Sequence, residues 1–190
     1  MYTNPSNISK TLTKLLDRNA AQINQVIQAY QGSRKKLMVL EGTRKVILAD
    51  AYPIFVVEPG SASGMWATTR AQRPRYSFRC TLTVKVGNDN SGVEYLCTLG
   101  NVIAEILTSP ENLQLPVYNE TKWDLNGGLC QTFFLDSSVD DANFSSVKEG
   151  SIRQAEFSWT VTIHEPYPDA KWKVNSSSSP TVIRPIIISE

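Results

Sequence analysis

Arg75-Tyr-Ser-Phe-Arg-Cys-Thr-Leu-Thr-Val-Lys-Val86 is the stretch whose reading decides the fold. Tyr76, Phe78, Cys80, Leu82, Val84 and Val86 stand on one phase, and Arg75, Ser77, Arg79, Thr81, Thr83 and Lys85 on the other. Side chains on a strand point to alternate faces, so this alternation predicts one face buried against a core and one left polar. The stretch from Gln154 to His164 repeats the pattern, with Ala155, Phe157, Trp159, Val161 and Ile163 on the apolar phase. Two such strands imply a mainly antiparallel sheet covered on one side only.

A chain of 190 residues suits one domain with a substantial core. Its 19 basic and 18 acidic residues leave a net charge of +1, which is not the electrostatic footprint of a nucleic-acid binder. Met1-Tyr-Thr-Asn-Pro does not resemble a signal peptide, and no apolar run approaches a membrane span. The expectation is therefore a soluble, unexported protein that meets protein partners. Cys80, Cys97 and Cys130 lack the C-x-x-C spacing of a zinc site, and their odd number argues against a disulfide framework.

Working outward from the two strands, Asn4-Pro5 makes a helix start, and the recurrence of Ile8, Leu12, Leu15, Leu16, Ile23, Val26, Ile27 and Tyr30 predicts one helix ending at Gly32. The Arg34-Lys35-Lys36 cluster reads as a solvated helix end. Leu37 to Leu40 and Val46 to Ala49 flank Glu41-Gly42-Thr43 and read as a hairpin. Ile54 to Glu58, between Pro53 and Pro59-Gly60, is a further strand. From Ser61 to Pro74 the Gly-, Ser- and Ala-rich sequence predicts a long loop, in which Met65, Trp66, Arg70 and Arg73 are interface candidates.

Past the central strand, Ser91-x-x-Glu94 is a capping-box signature. Leu96, Leu99, Ile103, Ile106 and Leu107 form the stripe of a second helix ending at Ser109-Pro110. Glu111 to Gly128 reads as irregular, Leu129 to Leu135 as a strand, and Asp136 to Gly150 as a polar loop. Strands interrupted by two helices give an α+β domain over residues 1–165, with a mainly antiparallel sheet and both helices on one face. Residues 166–190, rich in Pro and Ser, form an extended C-terminal arm. Its Thr181 to Ile188 segment is β-prone but interrupted by Pro185, which fits an edge strand in this chain, a loose terminus, or an arm docked on a neighbour through Ile183, Ile186 and Ile187.

Chemistry-bearing motifs are absent. His164, the only histidine, closes a strand on its polar phase, without a nucleophile signature near it. There is no P-loop and no G-x-G-x-x-G. Asp136, Asp140 and Asp141 lack the spacing and glycine of a calcium loop and read as solvated. The expectation is a domain that works by contact, with no catalysis, cofactor or metal. Arg79, Thr81, Thr83 and Lys85 on one strand, and Glu156, Thr160 and Thr162 on the other, belong either to a contact surface or to an ordinary solvated sheet face. A small-ligand-binding domain with Trp66 and Trp123 in its pocket is the reading from a different class.

The order of these features resembles the tail terminator proteins of long-tailed bacteriophages over roughly residues 5 to 165. It is carried by the N-terminal helix, Tyr52-Pro-Ile-Phe-Val-Val-Glu-Pro59, Arg73-Pro-Arg-Tyr-Ser-Phe78 leading into a long strand, the helix bearing Leu96 to Leu107, and Ala155-Glu-Phe-Ser-Trp159. The resemblance implies an α+β subunit of a hexameric ring that stops tail-tube polymerisation at the head-proximal end of the tail. It also implies a virion protein assembled in the host cytoplasm, with the tail tube protein, the neck and head-completion proteins, and the sheath of a contractile tail as partners. A neck or baseplate adaptor is the alternative within the same class. The Glu111 to Gly150 region and the C-terminal arm are longer than in compact members of that family.

Overall fold

The computed structural model describes residues 4–32, 35–42, 52–67, 71–86, 91–112, 117, 133–143 and 152–166. Helix α1 spans Pro5–Arg18; the Asn4 side chain accepts from the Ser6 amide at 2.9 Å, capping an amide that has no partner within the helix. Ile8, Leu12, Leu15 and Leu16 are its buried stripe. Ser9 and Thr11 are also buried, and each hydroxyl donates to the carbonyl four residues back, so neither is left unsatisfied.

The single N-terminal helix expected from the sequence is two. Helix α1 stops at Asn19, whose side-chain amide donates to the Leu15 carbonyl at 2.9 Å, and helix α2, Ala20–Gln31, starts at once. Asn satisfies the end of the first helix locally, and the break re-aims Ile23 and Ile27 into the same core. Gly32 ends α2 at φ +81°, as a helix-stopping glycine does.

Strand β1 is Met38–Glu41, β2 Ile54–Ala67 and β3 Ala71–Lys85. Helix α3, Ser91–Thr108, and a short 3-10 turn at Pro110–Asn112 follow, then β4, Phe133–Asn143, and β5, Ile152–Pro166. Among the described residues the sheet order is β1-β2-β3-β5-β4. All neighbours are antiparallel except β1 and β2, which pair in parallel from Met38 with Ile54 to Glu41 with Val57. The α+β class holds, with three α-helices among the described residues where two were expected.

Met38 to Glu41 pairs in parallel with β2, and the connection through residues 42–53 is about the dozen residues that a parallel crossover needs. The other half of the expected hairpin, Val46 to Ala49, lies outside the described residues. Two expectations are corrected.

The expected Ser61 to Pro74 loop is a β-hairpin. Its ladder joins Ala62 with Tyr76, Ser63 with Arg75, Trp66 with Arg73 and Ala67 with Gln72, across register shifts between Pro59 and Ala62 and between Ser63 and Trp66. Small residues carry no hydrophobic phase, yet their backbones pair like any others. A Cβ on Gly60 would stand 2.7 Å from the Ser77 carbonyl oxygen, so this bulge requires glycine. Pro59 is tolerated because β1 pairs with β2 only as far as Val57.

The second correction concerns β4, expected at Leu129 to Leu135 and followed by a polar loop. The strand runs on through Asp136, Ser138 and Asp140, with register shifts between Phe134 and Asp136 and between Asp140 and Asn143. Residues 129–132 lie outside the described set.

The two decisive strands behave as read. Tyr76, Phe78, Cys80, Leu82 and Val84 of β3, and Ala155, Phe157, Trp159, Val161 and Ile163 of β5, are all buried. They join the three helices and Phe55, Val57 and Phe134 in one core. Trp159 is fully buried, 5.1 Å from Phe78 and 5.9 Å from Phe134 between ring centres. On the opposite face, Tyr52, Ile54 and Val56 form a smaller apolar cluster with Leu40 and Ile152.

Candidate assembly surface

Because the helices cover one face, the other phase of β3, β5 and β4 comes together as a polar surface. Strand β3 contributes Arg75, Ser77, Arg79, Thr81 and Thr83; β5 contributes Glu156, Ser158, Thr160 and Thr162; β4 contributes Asp136, Ser138 and Asp140. Thr83 and Thr160 are buried, whereas Arg75, Arg79, Asp136 and Asp140 are exposed.

The centre of this face is an ion pair. The Arg79 Nη2 donates to the Glu156 Oε2 at 2.6 Å, and the Gln154 amide donates to the other Glu156 oxygen at 3.0 Å. The hydrogen bond and charge of Glu156, with a smaller contribution from Glu58, hold the Arg79 guanidinium above its ordinary pKa range. Its side chain remains 64% exposed, so Arg79 keeps donors free for a partner. Ser77 and Ser158 hydroxyls meet at 3.3 Å beside it. Gly60, Ser61, Ser77, Arg79, Glu156, Phe157 and Ser158 line an open hollow of about 410 Å³.

The residues singled out from sequence are distributed unevenly. Arg79 and Thr81 lie on this face, and Lys85 is exposed at the end of β3, its carbonyl accepting from the Gln31 side chain at 2.5 Å. Arg73 is exposed on β3, in register with Trp66. Met65 and Trp66 belong to the far end of β2, but their side chains, like Arg70, Ile183, Ile186 and Ile187, lie outside the described residues. Trp123 does as well; among the described residues, those lining a second crevice, of about 180 Å³ between the α1–α2 break and β1, include Leu16, Asp17, Ile23, Asn24, Leu37 and Val39.

Sequence reading missed Asp136 and Asp140, which were assigned to a loop. Their signal was the alternation Asp136, Ser138, Asp140 against Ser137 and Val139, hidden by the extra residue at Leu135. In register, Arg75, Thr162 and Asp136 form one rung across β3, β5 and β4, and Arg79, Ser158 and Asp140 form another. Each strand spacing is about 4.8 Å, so opposite charges stand roughly 10 Å apart in two parallel columns.

Elsewhere, burial pushes the Cys80 thiol up to about 12, the setting of an inert core cysteine. His164 is half-buried, and desolvation together with the Arg73 charge lowers its pKa. Among the described residues no group of three or more His, Cys, Asp or Glu side chains could hold a metal ion, and no helix is long and apolar enough to cross a membrane.

No protein-family model and no curated protein matches the chain. A solved chain from the virion of a native gene transfer agent particle is similar at a TM-score of 0.48 and 10% identity, over 86% of this chain and 99% of that one. A second solved chain is similar at a TM-score of 0.35 and 12% identity, over 82% of this chain and 97% of its own.

Proposed function

We propose that the chain is a structural subunit of a phage-type virion: a tail terminator that forms a ring on the tail tube, stops its polymerisation and offers a surface to the neck proteins. The observation that carries this reading is the two-sided domain, closed by helices on one side and presenting exposed Arg75, Arg79, Asp136 and Asp140 on the other. A closed ring uses unlike patches of successive copies, and growth of the tube stops when the far surface of the ring differs from the near one. The partners are then other copies of the chain in a hexamer, the tail tube protein, the neck and, in a contractile tail, the sheath. The work is done by contact, with no catalytic step or cofactor. In the same reading the C-terminal arm docks through Ile183, Ile186 and Ile187 on a neighbouring subunit, so truncation after Lys173 weakens assembly without changing the stability of the isolated subunit.

Electron microscopy of particles made without this protein tests the reading. Tails of uncontrolled length are the expected result. Tails of normal length detached from heads would replace the terminator with a neck adaptor, and normal, joined particles would remove both.

A further inference from the structure

The two charge columns have a geometric consequence. Consider a second copy turned by a half-rotation about an axis parallel to β5 and lying above the polar face. Position along the strands is preserved, while left and right exchange, so the copy's β3 lies over this chain's β4. Arg75 then meets Asp136 of the copy and Arg79 meets its Asp140, and the reverse pairs form at the same time. This follows from the register alone, since Arg75 shares a rung with Asp136 and Arg79 with Asp140 through Thr162 and Ser158.

We infer that the polar sheet face is a self-complementary, isologous contact, occupied by the same face of a second copy. A rung with two like charges would repel its own image, whereas each rung here carries one of each sign. The small residues between the columns, such as Ser158 and Thr162, allow two aligned sheets to approach at about 10 Å. The roughly 30° angle between such sheets moves each rung only about 3–4 Å from perfect overlap, which an arginine spans. Glu156 falls near its own image, but its charge is already bridged to Arg79 at 2.6 Å, and the remaining guanidinium donors stay free for Asp140 of the copy. No ion pair or side-chain hydrogen bond ties the Arg75 guanidinium to another described residue. The inference goes beyond the ring: rings close through unlike patches, while this contact joins like faces and pairs two subunits or two rings back to back.

The test makes both columns of one variant acidic and both columns of the other basic. Full-length chains carrying Arg75→Glu with Arg79→Glu, or Asp136→Arg with Asp140→Arg, are measured alone and mixed by sedimentation velocity at low ionic strength, with circular dichroism to check folding. The expected result is that the unaltered chain doubles its mass at low salt and not at high salt. Each variant alone should associate roughly a hundredfold more weakly, and the mixture should recover a one-to-one complex. The neutral changes Arg79→Gln and Asp140→Asn, which spare the fold even if the reversals do not, should each weaken the doubling by about tenfold. An unaltered chain that never doubles, neutral variants that double as it does, or folded reversed variants that ignore each other would overturn the inference. Mass that persists at high salt in every variant reports the ring separately.

Discussion

The indole Nε1 of Trp159 donates to the Ser137 Oγ at 2.7 Å, and the same hydroxyl donates to the Leu107 carbonyl at 2.6 Å. One serine on β4 thus satisfies the polar atom of the largest buried side chain and a carbonyl in the last turn of α3, where helix acceptors lose their own partners. The relay ties β5, β4 and α3 together at the point where Phe78 and Phe134 close on the Trp159 ring.

Ser137→Ala removes both links and leaves a buried indole N–H without its acceptor. The expected loss is about 1–3 kcal/mol in urea unfolding, although only one oxygen is deleted. Trp159→Ala should cost roughly 3–5 kcal/mol, since it adds a large cavity to the lost bond. The two changes share one interaction, so the double variant should lose less than the sum; strict additivity would mean that the relay contributes nothing.

Gly60→Ala tests the bulge in β2. The added methyl would meet the Ser77 carbonyl oxygen at 2.7 Å, and a backbone atom in a ladder cannot swing aside as a side chain can. A loss of about 1–3 kcal/mol is expected, whereas alanine at an open surface site changes stability by less than about 0.5 kcal/mol. An unchanged thermal midpoint would show that the hairpin does not hold this register.

The parts of the fold that were legible in sequence are those in which side-chain chemistry follows the backbone period. Strands β3 and β5 alternate without a break, and α3 carries a clean stripe between a capping signature and Pro110. What escaped reading had a physical reason in each case. Leu15, Leu16 and Ile23 continue one apolar stripe through Asn19, so periodicity passes over a break made by a side-chain hydrogen bond. Residues 61–67 have no hydrophobic phase to display. The bulges in β4 shift its alternation and hid Asp136 and Asp140, half of the charge pattern on the polar face, while Arg79 was visible because β3 is regular. The partner of β1 is set by a parallel crossover, which leaves no local signature.

The sequence predicts a loop over Ser61 to Pro74, and the ladder reverses that expectation. Deleting residues 61–72 removes the β2 pairs of Ala62, Ser63, Trp66 and Ala67 and takes Ala71 and Gln72 from β5. The shortened chain should unfold at lower urea than the full one, with a smaller denaturant slope because less surface is exposed on unfolding. Identical midpoints and slopes would return this segment to the status of an independent loop.

His164 provides a pH test with a single reporter, because the chain has one histidine. It sits on β5 in register with Phe133, half-buried, and both desolvation and the positive charge of Arg73 disfavour its imidazolium. Its folded pKa is therefore below the ordinary 6.5. The unfolded chain then binds the proton more readily than the folded one, so the stability linked to His164 is fully present above pH 6.5 and is lost as pH falls through the lowered folded value. The imidazole C–H resonances should titrate with a midpoint below 6.5, and Arg73→Ala should move that midpoint up by removing one of the two causes. His164→Gln should flatten this part of the stability profile and leave stability above pH 7 nearly unchanged. A midpoint at or above 6.5, or a profile as steep without the histidine as with it, would show that neither burial nor Arg73 acts on the ring as their placement requires.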